Sequence, residues 1–135
     1  DYLSAARDYL EDETASGRTP ASEIKAIWVA SDDGSAVDEV RALVSDFFPN
    51  VESENIVWIS GGGPDGTVQT RSENESYTGY IFILADLQLL SSADVFVGTY
   101  TSNVSRLVAL LREGIDGKPR DSCISLDKER FDLNY

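Results

Sequence analysis

Polar residues able to do chemistry gather at three places in this chain. Asp32 and Asp33 directly follow the apolar run Ala26-Ile27-Trp28-Val29-Ala30 and Ser31. A carboxylate pair at such a point could bind Mg²⁺, accept hydrogen bonds from a ribose or base, or brace a loop by accepting backbone N–H bonds. Asp86 interrupts the otherwise apolar stretch Ile81 to Leu90, where a buried carboxylate is costly without a partner. It therefore either reaches solvent or binds something, and a carboxylate can accept paired N–H bonds from the Watson–Crick edge of guanine. The third place is Thr99-Tyr100-Thr101-Ser102-Asn103, with Arg106 one turn later. Hydroxyls and free backbone N–H groups at a helix start suit a phosphate. Ser102 would serve equally well as an N-cap with no ligand, and Arg106 as a surface ion pair in place of a phosphate contact.

The elements that must position these residues are legible in the periodicity. Tyr2, Leu3, Ala6, Tyr9 and Leu10 share one side of a helix that Gly17 and Pro20 stop. Ala26 to Ala30 has the length and composition of a buried parallel strand, with polar residues at its carboxyl end, where α/β folds hold ligands. Val37, Val40, Leu43, Val44 and Phe47 repeat at helical spacing until Pro49. Asn55 to Ser60 is a second strand, followed by a glycine-rich loop from Gly61 to about Asn74 that lacks the lysine and spacing of a phosphate-binding loop. Helical spacing resumes at Tyr77 and runs to Leu90, Val95-Phe96-Val97 is a strand, and a last helix runs from Val104 to Gly114. Ser122 to Leu126 is a further short strand. Alternating strands and helices joined by short connections predict a three-layer, Rossmann-like α/β domain with a small parallel sheet, spanning residues 1–135 as one domain.

Composition excludes several classes. Eleven Lys plus Arg against twenty-four Asp plus Glu give a formal charge of −13, which repels a polyphosphate backbone and argues against a nucleic-acid partner. The only cysteine is Cys123 and there is no histidine, so neither a disulfide within the chain nor a histidine-based triad can form. No apolar run is long enough for a membrane helix. A phosphorylation receiver domain is ruled out by the strand ending Trp58-Ile59-Ser60, without its aspartate, and by Cys123-Ile124-Ser125, without its lysine. The chain has no methionine and begins in what reads as mid-helix, so we expect it to be part of something longer.

Taken together, IWVASDDGSAVDEV, ILADLQLLSSADVFVGTYTSNVSRLVALL and the Ser125-Leu126-Asp127 triplet resemble the GDP-fucose-dependent α-1,6-fucosyltransferases and their relatives, in order and in gaps. The resemblance spans Tyr2 to Asp127, and its most specific part holds Asp86, Ser102 and Arg106. It implies the GDP-sugar-binding half of a GT-B-like glycosyltransferase that transfers fucose with inversion and without a metal, in the secretory pathway at the Golgi lumen. It implies further that Asp86, beside Ile83, holds guanine, and that Thr101, Ser102, the backbone of Asn103 and Arg106 hold the pyrophosphate. Asp32 and Asp33 match an acidic pair that orients the site. No cofactor is implied beyond GDP-fucose as donor substrate, and the acceptor glycan or glycoprotein would be met through another half of the enzyme. The family's histidine–arginine–arginine segment, whose arginine meets charge on the leaving phosphate, is absent, and Asn103 stands where the core-fucosylating enzymes have glutamine. The segment alone is therefore expected to be inactive. The alternative is a non-catalytic binding or assembly module that retains the fold. Two sequons, Asn74-Glu75-Ser76 and Asn103-Val104-Ser105, would permit glycosylation, and Asn74, in an expected exposed loop, is the one we expect to be used.

Overall fold

A computed structural model describes residues 2–17, 24–31, 34–51, 56–59 and 76–127. In chain order the elements are α1 (Tyr2–Ala15), β1 (Ile27–Ala30), α2 (Gly34–Phe47), β2 (Ile56–Ile59), α3 (Ser76–Ser92), β3 (Phe96–Gly98), α4 (Asn103–Gly114) and β4 (Cys123–Ser125). The fold is mixed α/β, with parallel strands connected through helices. The chain divides into two compact units, one formed by residues Thr19–Asp86 and the other by Asp1–Arg18 with Leu87–Tyr135.

In the first unit β1 and β2 run parallel, with Ile27 opposite Ile56 and Ala30 opposite Ile59. Parallel neighbours cannot be joined by a tight turn, and α2 supplies the crossover. Within α2, Val44 is buried, and Phe48 and Val51 just beyond it extend the same core. The helix stops at Phe47 because Pro49 follows, and the Phe48 N–H still bonds the Val44 carbonyl at 2.8 Å. The expectation of a strand buried on both faces is not met at β1. Trp28 and Ala30 are exposed while Ile27 and Val29 are half-buried, the alternation of a strand with one open face.

The second unit repeats the strand–helix–strand arrangement. β3 pairs parallel with β4, Phe96 opposite Cys123 and Gly98 opposite Ser125, and α4 is the crossover. α1 packs against β3 and ends in a turn at Gly17, whose φ of 75° is the left-handed conformation a helix stop commonly needs. Phe96, Tyr100 and Val108 form the buried apolar centre. Val108 is fully covered, and burial of such a side chain contributes about 2 kcal/mol.

Among the described residues the strands pair within each unit, β1 with β2 and β3 with β4. Each crossover returns its strand beside the one it left, which closes a pair inside each unit. A second difference concerns α4. Its spacing marks Val104, Leu107 and Leu110 as an apolar stripe, yet all three are exposed, and the fully buried face carries Val108 and Arg112. Among the described residues no helix is long and apolar enough to cross a membrane.

Candidate functional site

The β3–α4 turn is built from the strand outward. Gly98 ends β3 where a side chain cannot fit, because a Cβ there would lie 2.7 Å from the Phe96 ring and 2.8 Å from Ser105 Oγ. The chain then bends through Thr99 and Tyr100, with the Ser102 N–H closing the turn on the Thr99 carbonyl at 3.1 Å. Ser102 is the N-cap of α4: its backbone is extended (φ −79°, ψ 126°) and its hydroxyl accepts the Ser105 N–H at 3.4 Å. Ser105 in turn receives the Thr99 N–H on its own hydroxyl oxygen at 3.4 Å. The bland reading of Ser102 as a cap is thus realised, with Oγ directed at its own helix.

The donors of this turn converge on one carboxylate. Asp127, two residues after β4, accepts the Tyr100 N–H on Oδ1 at 2.5 Å, and on Oδ2 the Thr101 N–H at 3.0 Å and the Thr101 hydroxyl at 2.5 Å. The Ser125 hydroxyl adds a further bond to Oδ1 at 2.9 Å. Hydrogen bonds to the ionised form, that from the Thr101 hydroxyl foremost, hold this carboxyl far below the usual carboxylate range. Thr101, expected to face a phosphate, thus spends both of its donors on Asp127. Asn103 and Arg106 are exposed on the first turn of α4, where the Arg106 guanidinium donates to the Asn103 side-chain oxygen. With Ser102 capping Ser105, the N–H groups of Asn103 and Val104 are the pair that a helix start leaves for an outside acceptor.

Asp86 lies in α3, in the other unit, and is half-buried. Its Oδ1 is buried and has no hydrogen-bond partner among the described residues. Burial pushes the carboxyl up to about 6. Ile83, three residues earlier and so on the same helical face, is also half-buried. Asp32, Asp33, Asn74 and the glycine-rich loop from Gly61 lie outside the described residues. Among the described residues no group of three or more His, Cys, Asp or Glu side chains is gathered as a metal site.

Comparison of the chain with protein-family models, with curated proteins and with solved structures gives no match.

Two residues that organise the site were not singled out from the sequence. Asp127 figured only as the last member of the Ser125-Leu126-Asp127 triplet, and the local signal for its role is an aspartate just past a short strand, a position that favours bonding to nearby backbone N–H groups. Arg112 reads as a routine cationic residue at a helix end, favourable to the helix dipole. In the structure it is buried, and its guanidinium donates to the carbonyls of Leu90, Ser91, Ala93 and Asp94 and to Ser122. It thereby anchors the end of the helix that carries Asp86.

Proposed function

We propose that the chain is the donor-binding portion of a fucosyltransferase-like, GT-B-type glycosyltransferase, holding GDP-fucose for an inverting, metal-independent transfer to a glycan or glycoprotein acceptor. The observation that carries this reading is the buried Oδ1 of Asp86, which has no hydrogen-bond partner among the described residues. A carboxylate oxygen withdrawn from water without a hydrogen bond costs about 1–3 kcal/mol or more, which a bound donor would recover. Guanine presents a matching pair of N–H groups. The start of α4, with the N–H groups of Asn103 and Val104 and the nearby Arg106, would take the diphosphate. Asp32 and Asp33 would orient the site, and a basic group from another part of the enzyme would meet charge on the leaving phosphate. The setting would be the Golgi lumen.

The test is titration of GDP against ADP, on the chain joined to the rest of its enzyme and on its Asp86→Ala variant. Preference for GDP that disappears in the variant is expected; equal binding of both nucleotides, or of neither, sinks the guanine assignment.

A second reading has its own supporting observation. Asp127 takes the turn donors that a bound diphosphate would use, and this favours a binding or assembly module that keeps the fold without the chemistry. A folded full-length protein that neither prefers GDP nor transfers fucose is the outcome that selects it.

A further inference from the structure

Helix α4 has apolar residues on two sides, and the buried centre uses only one of them. Val108 and Arg112 are fully covered, whereas Val104, Leu107 and Leu110 are exposed and Ile115, at the helix end, is 76% exposed. Val104, Leu107, half-buried Leu111 and Ile115 follow one another at steps of three or four residues, so they line up as one ridge along the helix. The chain itself offers something to cover that ridge. β4 leads it to the start of α4, where Asp127 accepts the Tyr100 N–H at 2.5 Å and the Thr101 N–H at 3.0 Å. The sequence then continues Lys128-Glu129-Arg130-Phe131-Asp132-Leu133-Asn134-Tyr135, outside the described residues. Its apolar residues fall at every second position, Phe131, Leu133 and Tyr135, which is the pattern of an extended segment with one apolar side.

We propose that residues 128–135 dock as a strap along the outer side of α4, with Phe131, Leu133 and Tyr135 on the ridge of Val104, Leu107 and Leu111. The lengths agree. Phe131 to Tyr135 spans about 13 Å when extended, and Val104 to Leu111 spans about 11 Å along a helix. Lys128, Glu129 and Arg130 are left to reverse the chain from the end of β4 onto the helix, starting from a residue already bonded beside the first turn of α4. Charge favours this occupant over a second copy of the chain. Two copies each carrying −13 repel, whereas in the strap Lys128 and Arg130 balance Glu129 and Asp132. The strap does not depend on the donor reading, and it gives the Asp127 hydrogen bonds a further purpose, to fix where the strap begins.

Two measurements test this. The first compares the full chain with one ending at Asp127, whose melting temperature should fall by about 4 °C while its binding of an apolar fluorescent dye rises. The second is a double-mutant cycle on the full chain, with Leu107→Ala and Phe131→Ala singly and together, read by urea unfolding. Each single substitution is expected to lower the folding equilibrium constant about fivefold, and the pair by clearly less than the roughly 25-fold that independent sites would give. Should the shortened chain fail to fold, the cycle decides alone. Additive losses in the cycle, or a shortened chain with unchanged melting and dye binding, overturn the strap. A concentration-dependent dimer in sedimentation that Leu107→Asp disperses overturns it as well and gives the ridge to a second copy.

Discussion

Arg112 Nη1 lies 2.5 Å from the carbonyl oxygen of Ala93, the residue that follows the end of α3. The last carbonyls of a helix have no partners in their own helix, and here a buried guanidinium supplies them from α4. The same group reaches the Leu90 and Ser91 carbonyls at 3.3 Å, the Asp94 carbonyl at 3.0 Å and the Ser122 hydroxyl at 2.8 Å, and that hydroxyl in turn donates a hydrogen bond to the Pro119 carbonyl at 2.7 Å. Burial lowers the pKa of Arg112, as expected for a cation removed from water, against smaller opposing effects from Cys123, Asp94 and Asp116.

Replacing Arg112 by Met should therefore destabilise the fold by about 3 kcal/mol, since several buried carbonyls lose their donors at once. Arg112→Lys should recover little, because one ammonium group cannot match the planar fork. Urea unfolding of the three proteins checks this. A loss below about 1 kcal/mol for the Met variant would mean that water readily replaces the guanidinium.

Gly98→Ala should cost about 2 kcal/mol, the range of an overpacked site. The added carbon would meet the Phe96 ring at 2.7 Å and Ser105 Oγ at 2.8 Å, in a segment where Phe96 is itself buried. Because Ser105 Oγ also receives the Thr99 N–H, the turn should loosen along with the core. Thermal melting shows the first effect, and faster amide exchange at Thr99 the second. An unchanged melting temperature would contradict the close approach.

Asp86 should make stability depend on pH in the direction opposite to a salt-bridged carboxylate. Its carboxyl, raised by burial from 3.8 to about 6, binds a proton more tightly folded than unfolded. The stability this lends is complete below the unfolded value and is lost as pH rises through about 6. Asp86→Asn removes the titration, so the melting temperature of the variant relative to the unsubstituted chain should climb across that window and level off above it. A difference that stays flat with pH would show that the carboxyl is well solvated. If the ionised carboxylate holds guanine, as proposed, GDP affinity should fall as pH drops below about 6.

Asn103 should carry no glycan when the chain is expressed in a secretory compartment, although Asn103-Val104-Ser105 satisfies the sequon. The residue opens α4, its side-chain oxygen accepts from Arg106, and the Ser105 hydroxyl is engaged by the Thr99 N–H. Glycopeptide mass spectrometry reads the occupancy directly, and substantial modification at Asn103 would count against the diphosphate role assigned to this helix start.

The order of elements was legible from residue types alone. Pro49 and Gly17 mark helix ends that the structure reproduces within two or three residues, the run Ile27-Trp28-Val29-Ala30 is β1, and the hydroxyl cluster after Phe96-Val97-Gly98 is the cap of α4. These features depend on local preferences, which a linear chain carries in full. Ser102 as a cap and Asp86 as an anomaly in an apolar helix belong to the same class. What each polar group bonds to was decided only by the fold. Asp127 lies 26 residues from Thr101 and Arg112 lies 19 from Ala93, and no periodicity links positions so far apart. Strand pairing is another long-range outcome: spacing announces parallel strands with helical crossovers, but the register within each unit, Ile27 opposite Ile56 and Phe96 opposite Cys123, is set by the fold. The same holds for α4, where an apolar stripe competed with one arginine for the interior, and the arginine took it because the unpaired carbonyls at the end of α3 required donors that no aliphatic side chain has.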